Sequence, residues 1–299
     1  MTKPLHLAIG AFDGVHLGHR AVLHSAREAA RTDGGLVGVL TYDPHPSKVL
    51  RPESSVPLIF TRAQKDERLT EAGAQLIHHE KFDRNHAGIE AADFPKWLKQ
   101  SFPQLKSLHV GSNFQYGRGR SGHGETLIAH GAAEGLGVRL VAAVQLGEET
   151  VSSSRIRQCL ASGDLALANA MLLRPYEAEG QIIGGRRLGR TIGFPTVNVA
   201  WEPELKPAYG VYAVEVIFKG ESLPAVANYG QRPTVESGPV APLLEAYVLR
   251  GQAPTTGDTV RVRWLRRIRA EQKFADLAAL QSQIAKDTAT AKQALGLLA

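Results

Sequence analysis

Two histidines near the start of the chain have the spacing and the setting of a phosphate site. His16 and His19 lie on a glycine-bearing turn between an apolar run, Leu5 to Ile9, and a helical pattern from about Gly18 to Thr32. That order predicts a strand, a turn and a helix, with both imidazoles at the helix N-terminus, where free backbone N–H groups favour an anion. A histidine pair can also bind metal, but no Cys, His or carboxylate cluster nearby completes a zinc site. We therefore expect the pair to stabilise charge in phosphoryl chemistry.

Three further polar segments of the first half follow predicted strands. The turn 41–46 carries His45, the glycine-rich segment 111–117 carries Asn113, and the segment 151–157 carries Ser153 and Arg157 ahead of and within a helix. Taken singly, each has an ordinary explanation as an exposed turn residue, a loop or a helix cap. Together they predict one site for a nucleotide, because serines and arginines at a helix start suit a polyphosphate.

The first half alternates short apolar runs with helical segments. Such alternation predicts a parallel sheet covered by helices, and ligands of these sheets bind at the carboxyl ends of the strands. Besides the first strand and helix, the predicted strands are 36–41, 75–78, 108–110 and 138–146, and the predicted helices are 62–72, 94–101 and 125–134.

The second half changes to apolar–polar alternation with Gly and Pro between the runs. The runs 211–218, 225–228, 244–249 and 259–264 predict short strands of an antiparallel β-barrel or sandwich, followed by a helix from Phe274 to about Ala289. The change of pattern predicts an α/β domain over 1–172 and an antiparallel β domain, a barrel or a sandwich, over 173–299.

Two segments of the second half contain candidate phosphate and metal ligands. The basic loop from Gly184 to Arg190 is able to wrap phosphates through its backbone N–H groups. Thr196 and Asn198 lie two residues apart, so an extended chain presents both oxygens on one face, as Mg²⁺ prefers. Glu245 interrupts an apolar strand and either faces water or acts as a base.

Bulk composition narrows the class of protein. The chain has 299 residues, 43% of them hydrophobic, with no run long enough to span a membrane and no signal-peptide core at its start. The single cysteine, Cys159, excludes an internal disulfide and favours a reducing compartment, so we expect a cytoplasmic location. A net charge of +6 fits anionic small substrates, nucleic acid or a membrane surface.

Taken together, the motifs resemble the bifunctional bacterial riboflavin kinase/FAD synthetase family. The resemblance runs in order from Gly10 to about Asp287. It comprises 10–19, 41–46, 111–117 and 151–157 in the first half, and 193–198, 228–234 and 267–274 in the second. It implies a Rossmann-like α/β N-terminal domain that transfers AMP from ATP to FMN. It also implies a C-terminal kinase domain, an antiparallel β-barrel with a terminal helix, that phosphorylates riboflavin with ATP.

The resemblance also implies roles for single residues. In the first domain His16 and His19 would stabilise the transferring α-phosphate, and in the second Glu245 would accept the proton of the riboflavin 5′-hydroxyl, with Mg²⁺ bound by Thr196 and Asn198. The implied nucleotide-binding residues are Gly10, Phe12, His45, Asn113, Ser153, Arg157, Gly184 and Arg190, and the implied flavin-binding residues are Asn228, Arg232 and Arg269.

Two other functions remain open from the residues alone. The arginine-rich run 261–269 and the basic charge favour a nucleotidyltransferase joined to an RNA-binding barrel. The third candidate is a flavin-binding protein, either one with one weakened activity or a non-catalytic flavin sensor. Intact candidate residues argue against the sensor, namely His16, His19, Thr196, Asn198 and Glu245. Anionic substrates at two sites explain the charge without nucleic acid or membrane, so ATP, riboflavin and FMN are the expected partners, and an oligomer is left open.

Overall fold

A computed structural model describes residues 3–185, 193–231 and 242–297. The chain divides into two compact units, Met1–Ser153 and Ser154–Ala299. The sequence places the functional boundary later, after Leu172, and that division stays a prediction. None of the helices within the described ranges is long and apolar enough to cross a membrane.

The first unit is a parallel α/β sheet, as the alternating pattern predicts. Its five strands are arranged in the order β3-β2-β1-β4-β5, so the chain reverses direction of winding beside β1. The strands are β1 (Leu5–Ile9), β2 (Leu36–Asp43), β3 (Leu76–Lys81), β4 (Leu105–Gly111) and β5 (Gly137–Val141). The helices are α1 (Leu17–Asp33), α2 (Pro46–Leu50), α3 (Arg62–Glu71), α4 (Arg84–Ala87), α5 (Phe94–Ser101) and α6 (Gly124–Ala133), with short 3-10 turns at Pro52–Ser54 and Arg118–Arg120.

The two faces of this sheet carry separate apolar cores. Alternate residues of a strand point to opposite faces, so Leu5, Leu7 and Ile9 pack in one cluster with Phe94 and Leu98 of α5. Ala8 lies in the other cluster, beneath apolar residues of α1 such as Val22 and Leu23. The central strand is therefore buried on both faces, which explains why β1 reads as an unbroken apolar run.

One strand prediction in this unit is wrong in extent. The run 138–146 was expected to form one strand, whereas β5 ends at Val141, opposite Gly111, the last residue of its partner β4. Beyond that pair the chain leaves the parallel sheet, and β6 (Gln145–Leu146) instead pairs antiparallel with β7 (Glu149–Thr150). The apolar pattern continues past residue 141, but β4 ends at Gly111 and offers no further residue for pairing.

A network of buried and half-buried polar side chains ties α1 to the sheet. Asp33 accepts from His6 Nε2 at 3.1 Å, His6 Nδ1 contacts the Ser107 hydroxyl at 2.7 Å, and Ser107 contacts His109 Nε2 at 2.8 Å. His109 Nδ1 in turn lies 2.8 Å from the hydroxyl of Ser25 on α1. Each hydrogen bond of this network has one donor and one acceptor when both imidazoles are neutral.

Acid is expected to destabilise the protein through His109. Burial, then repulsion from His6 and Arg139, lowers the pKa of His109 from 6.5 to about 4. The unfolded chain therefore takes up this proton first as pH falls. The contribution to the free energy of unfolding is complete above about pH 6.5 and is lost towards about pH 4, by about 3 kcal/mol at most.

Urea unfolding across that pH range measures the effect. His109→Gln should flatten the acid limb, whereas His24→Gln, a matched change at an exposed histidine of α1, should leave it as in the wild type. Identical acid limbs in wild type and His109→Gln would refute this origin.

The second unit is the barrel alternative of the two expected architectures. Helices α7 (Ser153–Ser162) and α8 (Leu165–Leu172) precede six antiparallel strands that close in the order β10-β11-β12-β9-β8-β13. The strands are β8 (Tyr176–Ile183), β9 (Val197–Ala200), β10 (Gly210–Phe218), β11 (Glu221–Gln231), β12 (Pro242–Val248) and β13 (Thr259–Arg269). Fully buried aromatic side chains fill the unit, namely Tyr176, Tyr212, Tyr229 and Trp264.

The terminal helix α9 (Leu277–Ala294) covers part of the barrel wall. It begins three residues later than the expected Phe274, because the Asp276 side chain caps it by accepting from the Ala279 N–H at 2.7 Å. Ala291 of this helix packs in one buried cluster with Val211 and Ala213 of β10. Strand β8 and helix α8 were not predicted.

Two candidate active sites

The first candidate site is the turn between β1 and α1, which the structure places at the carboxyl edge of the sheet. His16 is the N-cap of α1, and its Nδ1 accepts from the His19 N–H at 3.4 Å. The two rings stack, with centroids 3.7 Å apart and an interplanar angle of 18°. The expectation that both imidazoles lie at the helix N-terminus is therefore confirmed as geometry, and their role remains to be tested.

The histidine pair lies in a largely dry environment. His16 is 6% exposed, and the Phe12 ring, which is fully buried, lies 5.1 Å from the ring of His19. Burial, followed by the neighbouring His16 and Lys65, lowers the pKa of His19 well below 6.5. His19 is thus uncharged at neutral pH, and its buried Nδ1 has no hydrogen-bond partner among the described residues.

The turn itself is held in an unusual backbone conformation. Phe12 and Val15 have φ of 51° and 41°, which L-residues other than Gly rarely adopt, and Gly14 between them has φ of 89°. Asp13 supports the turn from both sides, since its carboxylate accepts from the Ile59 N–H at 2.9 Å and its carbonyl accepts from the Ser153 hydroxyl at 2.8 Å. Such strain persists only where surrounding contacts enforce it.

Other predicted residues of this site follow neighbouring strands. His45 follows β2 and caps α2, with its Nδ1 accepting from the Ser47 N–H at 3.2 Å. Asn113 follows β4 and is exposed, while Gly10 ends the first strand by donating to the Leu40 carbonyl at 3.1 Å. Because β1, β2 and β4 are parallel neighbours, their carboxyl ends meet at one edge. The sheet thus brings Gly10, His45 and Asn113 to a common edge. Arg157 belongs to another element, since it lies half-buried on α7.

The second candidate site is a row of residues that crosses five strands of the barrel. Glu245 on β12 is opposite Asn198 on β9 and opposite Asn228 on β11, and the row continues through Val211 to Arg269 on β13. Directly opposed residues of an antiparallel pair share a face, with Cβ atoms about 4.5–5.5 Å apart. Four predicted site residues therefore lie side by side, although they are far apart in sequence.

Asn198 has the features of a ligand-binding residue. Its side-chain oxygen is buried and has no hydrogen-bond partner among the described residues, and the residue is 7% exposed. Its amide group lies against the backbone of Gly185, where a Cβ atom would collide with it. Glycine at 185 thus permits the backbone just after β8 to approach Asn198, and Gly184 borders open space.

Arg269 makes contacts that its predicted flavin role did not include. Its Nε and Nη2 bind the Asp287 carboxylate of α9 at 2.7 to 3.0 Å, and its Nη1 donates to the Ala270 carbonyl at 2.9 Å. Asp287 is 3% exposed and also accepts from Gln283. Arg269 is therefore committed to joining α9 to the barrel, and a flavin contact stays a prediction.

Some predicted residues lie elsewhere or outside the description. Thr196 is exposed just before β9, within two residues of Asn198. Arg190 and Arg232 lie outside the described residues, and so does most of the loop from Gly184 to Arg190. Sequence reasoning missed Asp287 and Lys65, since neither belongs to a recognisable motif; a lysine in a helix with polar neighbours gives no signal of burial.

The arginine-rich run that favoured RNA is largely neutralised within the second unit. Arg261 and Arg263 pair with Glu179 and Glu177 of β8 at 3.1 and 3.0 Å. Arg267 donates to the carbonyls of Ser162 and Tyr209. These guanidinium groups hold the barrel together, which removes the observation that favoured an RNA-binding surface.

Comparisons with known proteins identify a family for each half of the chain. The family model for FAD synthetase matches residues 1–155, and the model for riboflavin kinase matches residues 172–295. The bifunctional riboflavin kinase/FMN adenylyltransferase of Escherichia coli (strain K12) is 37% identical over 292 residues, covering 97% of this chain and 93% of the relative. The protein of the same description from Bacillus subtilis (strain 168) is 34% identical, covering 96% and 94%.

A solved structure shares the whole fold. The crystal structure described as a macrolide-efflux protein from Streptococcus pneumoniae superposes with a TM-score of 0.89 and 27% identity, covering 97% of this chain and 94% of that one. The word efflux in that description refers to the Streptococcus pneumoniae protein and is not a statement about this chain.

A parallel-sheet unit with a histidine turn, followed in the same chain by a barrel with a carboxylate between two asparagines, defines a two-domain ATP-dependent transferase. The chain belongs to the family of bifunctional riboflavin kinase/FMN adenylyltransferases. It phosphorylates riboflavin to FMN with ATP and transfers AMP from ATP to FMN, giving FAD and pyrophosphate. The RNA-binding and weakened flavin-binding alternatives are not supported.

Proposed function

We propose that adenylyl transfer takes place at the His16–His19 turn. The attacking group is a phosphate oxygen of FMN, which bonds to the α-phosphorus of ATP as pyrophosphate leaves, so the protein need not supply a nucleophile. Its task is to align two anions and to donate hydrogen bonds where charge develops. The α1 N-terminus and the two imidazoles offer such donors at a strained, nearly dry turn. Gly10, Phe12, His45, Asn113, Ser153 and Arg157 are the proposed nucleotide contacts.

We propose that riboflavin phosphorylation takes place at Glu245. A neutral hydroxyl is a weak nucleophile, so a base that removes its proton speeds transfer. Glu245 would accept the proton of the 5′-hydroxyl as the oxygen bonds to the γ-phosphorus of ATP and ADP leaves. The single observation that carries this assignment is the register that sets Glu245 between Asn198 and Asn228. Gly184 and Arg190 would contact the nucleotide, and Asn228, Arg232 and Arg269 the flavin.

The residues beside Glu245 also fit a magnesium ion. Mg²⁺ prefers oxygen ligands and keeps several waters, and the side-chain oxygen of Asn198 is buried without a partner among the described residues. Thr196 would add a hydroxyl from the same stretch of chain. When bound, the ion would neutralise charge on the phosphates of ATP.

Removing this oxygen should weaken the magnesium dependence of one reaction only. We expect Asn198→Ala to raise the Mg²⁺ concentration that half-saturates FMN formation by about tenfold or more, because one of few protein ligands is lost. FAD formation from supplied FMN should keep its wild-type Mg²⁺ requirement. The control is Gln181→Ala, which removes an exposed amide on the adjacent strand β8. An unchanged Mg²⁺ titration of FMN formation in Asn198→Ala would exclude this residue as a ligand.

We also propose the ligands, the cellular location and the functional division of the enzyme. Its ligands are ATP, riboflavin, FMN and Mg²⁺, with no nucleic acid or membrane partner, and the single cysteine and the use of ATP favour the cytoplasm. The functional division is proposed to follow Leu172, so that 1–172 serve adenylyl transfer and 173–299 serve phosphorylation.

A further inference from the structure

Lys65 of α3 places a positive charge at the carboxyl edge of the sheet. Its ammonium donates to the hydroxyl of Thr41 at 3.0 Å, and that hydroxyl donates to the carbonyl of Ala11 at 3.0 Å. Thr41 is fully buried near the end of β2, and Ala11 lies in the turn that carries the histidines. The lysine is thereby fixed to the same turn from a second element.

The ammonium of Lys65 has more N–H donors than it uses in hydrogen bonds to the described residues. An ammonium has three N–H bonds, and within the described ranges the side chain of Lys65 makes one hydrogen bond, to Thr41, and no ion pair closer than 4.0 Å. It lines a pocket together with Ala11, Asp13, Asp43 and His45. Arg62 borders the same pocket, but it forms an exposed pair with Asp43 at 2.8 Å. Of the lysine and arginine side chains described at this pocket, Lys65 is therefore the half-buried one that can bind an incoming anion.

The chemistry of the reaction requires such a charge. Two anions, FMN and ATP, must approach each other, yet His19 is neutral at pH 7 and supplies hydrogen bonds rather than charge. Burial lowers the pKa of Lys65 below 10.5, and the carboxylates of Asp66, Asp13 and Asp43 oppose that shift. The α1 N-terminus already offers donors to the phosphates of ATP. Lys65, which lies on α3 and is held by Thr41 of β2, is suited to bind the second anion, FMN.

We propose that the ammonium of Lys65 binds the phosphate of FMN and holds it for attack on the α-phosphorus of ATP. This inference rests on the assignment of adenylyl transfer to the His16–His19 turn. The reaction itself is unchanged: a phosphate oxygen of FMN bonds to the α-phosphorus, pyrophosphate leaves, and Lys65 remains protonated throughout.

The test is steady-state kinetics of FAD formation from supplied FMN, in the full-length protein. Lys65→Met should raise the KM for FMN by about tenfold or more, as loss of a charged hydrogen bond implies, while the KM for ATP changes less than about twofold. Lys81→Met, at an exposed lysine at the end of β3, should match the wild type. The far-UV circular dichroism spectrum and urea unfolding of each variant report whether the α/β unit, which contains both lysines, is folded. An unchanged KM for FMN, or a rise confined to the KM for ATP, would overturn the inference.

A pH profile separates charge from mere packing. In the wild type, kcat/KM for FMN should fall in alkali as Lys65 loses its proton, below pH 10.5. In Lys65→Arg the guanidinium stays protonated, so the alkaline fall should move to higher pH. Profiles that coincide would contradict a charged role, even if Lys65→Met folds poorly. Loss of FAD formation in His19→Gln with normal kinetics in Lys65→Met would refute this inference and leave the proposed function standing.

Discussion

Glu245→Gln is expected to reduce FMN formation from riboflavin by about 10²- to 10⁴-fold in kcat, the usual contribution of a general base. The amide keeps the size of the side chain and its place between Asn198 and Asn228, but it does not accept the hydroxyl proton. FAD formation from supplied FMN should stay at the wild-type rate, because that reaction is assigned to the other unit. Separation of riboflavin, FMN and FAD by chromatography measures both rates in one sample.

The matched control is Glu215→Gln, which neutralises another half-buried carboxylate, on β10 of the same barrel. It should phosphorylate riboflavin normally. Two results would count against Glu245 as the base: a kcat for FMN formation within about tenfold of the wild type, or equal loss of both activities in a folded protein.

His19→Gln is expected to reduce FAD formation by about 10²- to 10³-fold, the usual loss when one preorganised donor to a developing charge is removed. His19 is half-buried, lies against Phe12 and is stacked on His16, so its donor is held in place before substrate binds. FMN formation from riboflavin should be unaffected. The measurement is pyrophosphate release or FAD formation with FMN and ATP supplied.

His16 needs a more conservative change, because it also caps α1. Asparagine is among the best N-cap residues, so His16→Asn keeps the cap while it removes the imidazole, and FAD formation should fall without loss of the folded state. His24→Asn, on the exposed side of the same helix, should be silent. Normal FAD formation in both His16→Asn and His19→Gln would exclude the turn as the adenylyl-transfer site.

Much of the α/β unit could be predicted because its signals are local. The apolar run of β1, the helical spacing of α1 and the glycines between them specify strand, turn and helix without reference to the rest of the chain. The order of these elements then predicts a parallel sheet, and the carboxyl edge follows from the geometry of such sheets. The histidine turn was found in this way.

The row on the barrel could not be predicted from spacing. Glu245, Asn198 and Asn228 become neighbours only through strand register, which depends on pairing over long separations. The alternation around Glu245 is equally compatible with a carboxylate that faces water and with a base, and the base role is implied only by the family resemblance. Lys65 was missed for a related reason, since its contact with Thr41 joins a helix to a strand. The strain at Phe12 and Val15 has no signature in residue type at all.

A mixing experiment tests most directly the claim that two independent sites act in sequence. With riboflavin, ATP and Mg²⁺, Glu245→Gln alone should form almost no FAD for lack of FMN, and His19→Gln alone should accumulate FMN. Mixed in one tube, the two variants should form FAD from riboflavin, because each supplies the step that the other lacks. A mixture that forms no FAD, although each variant retains its own half-reaction, would contradict the account.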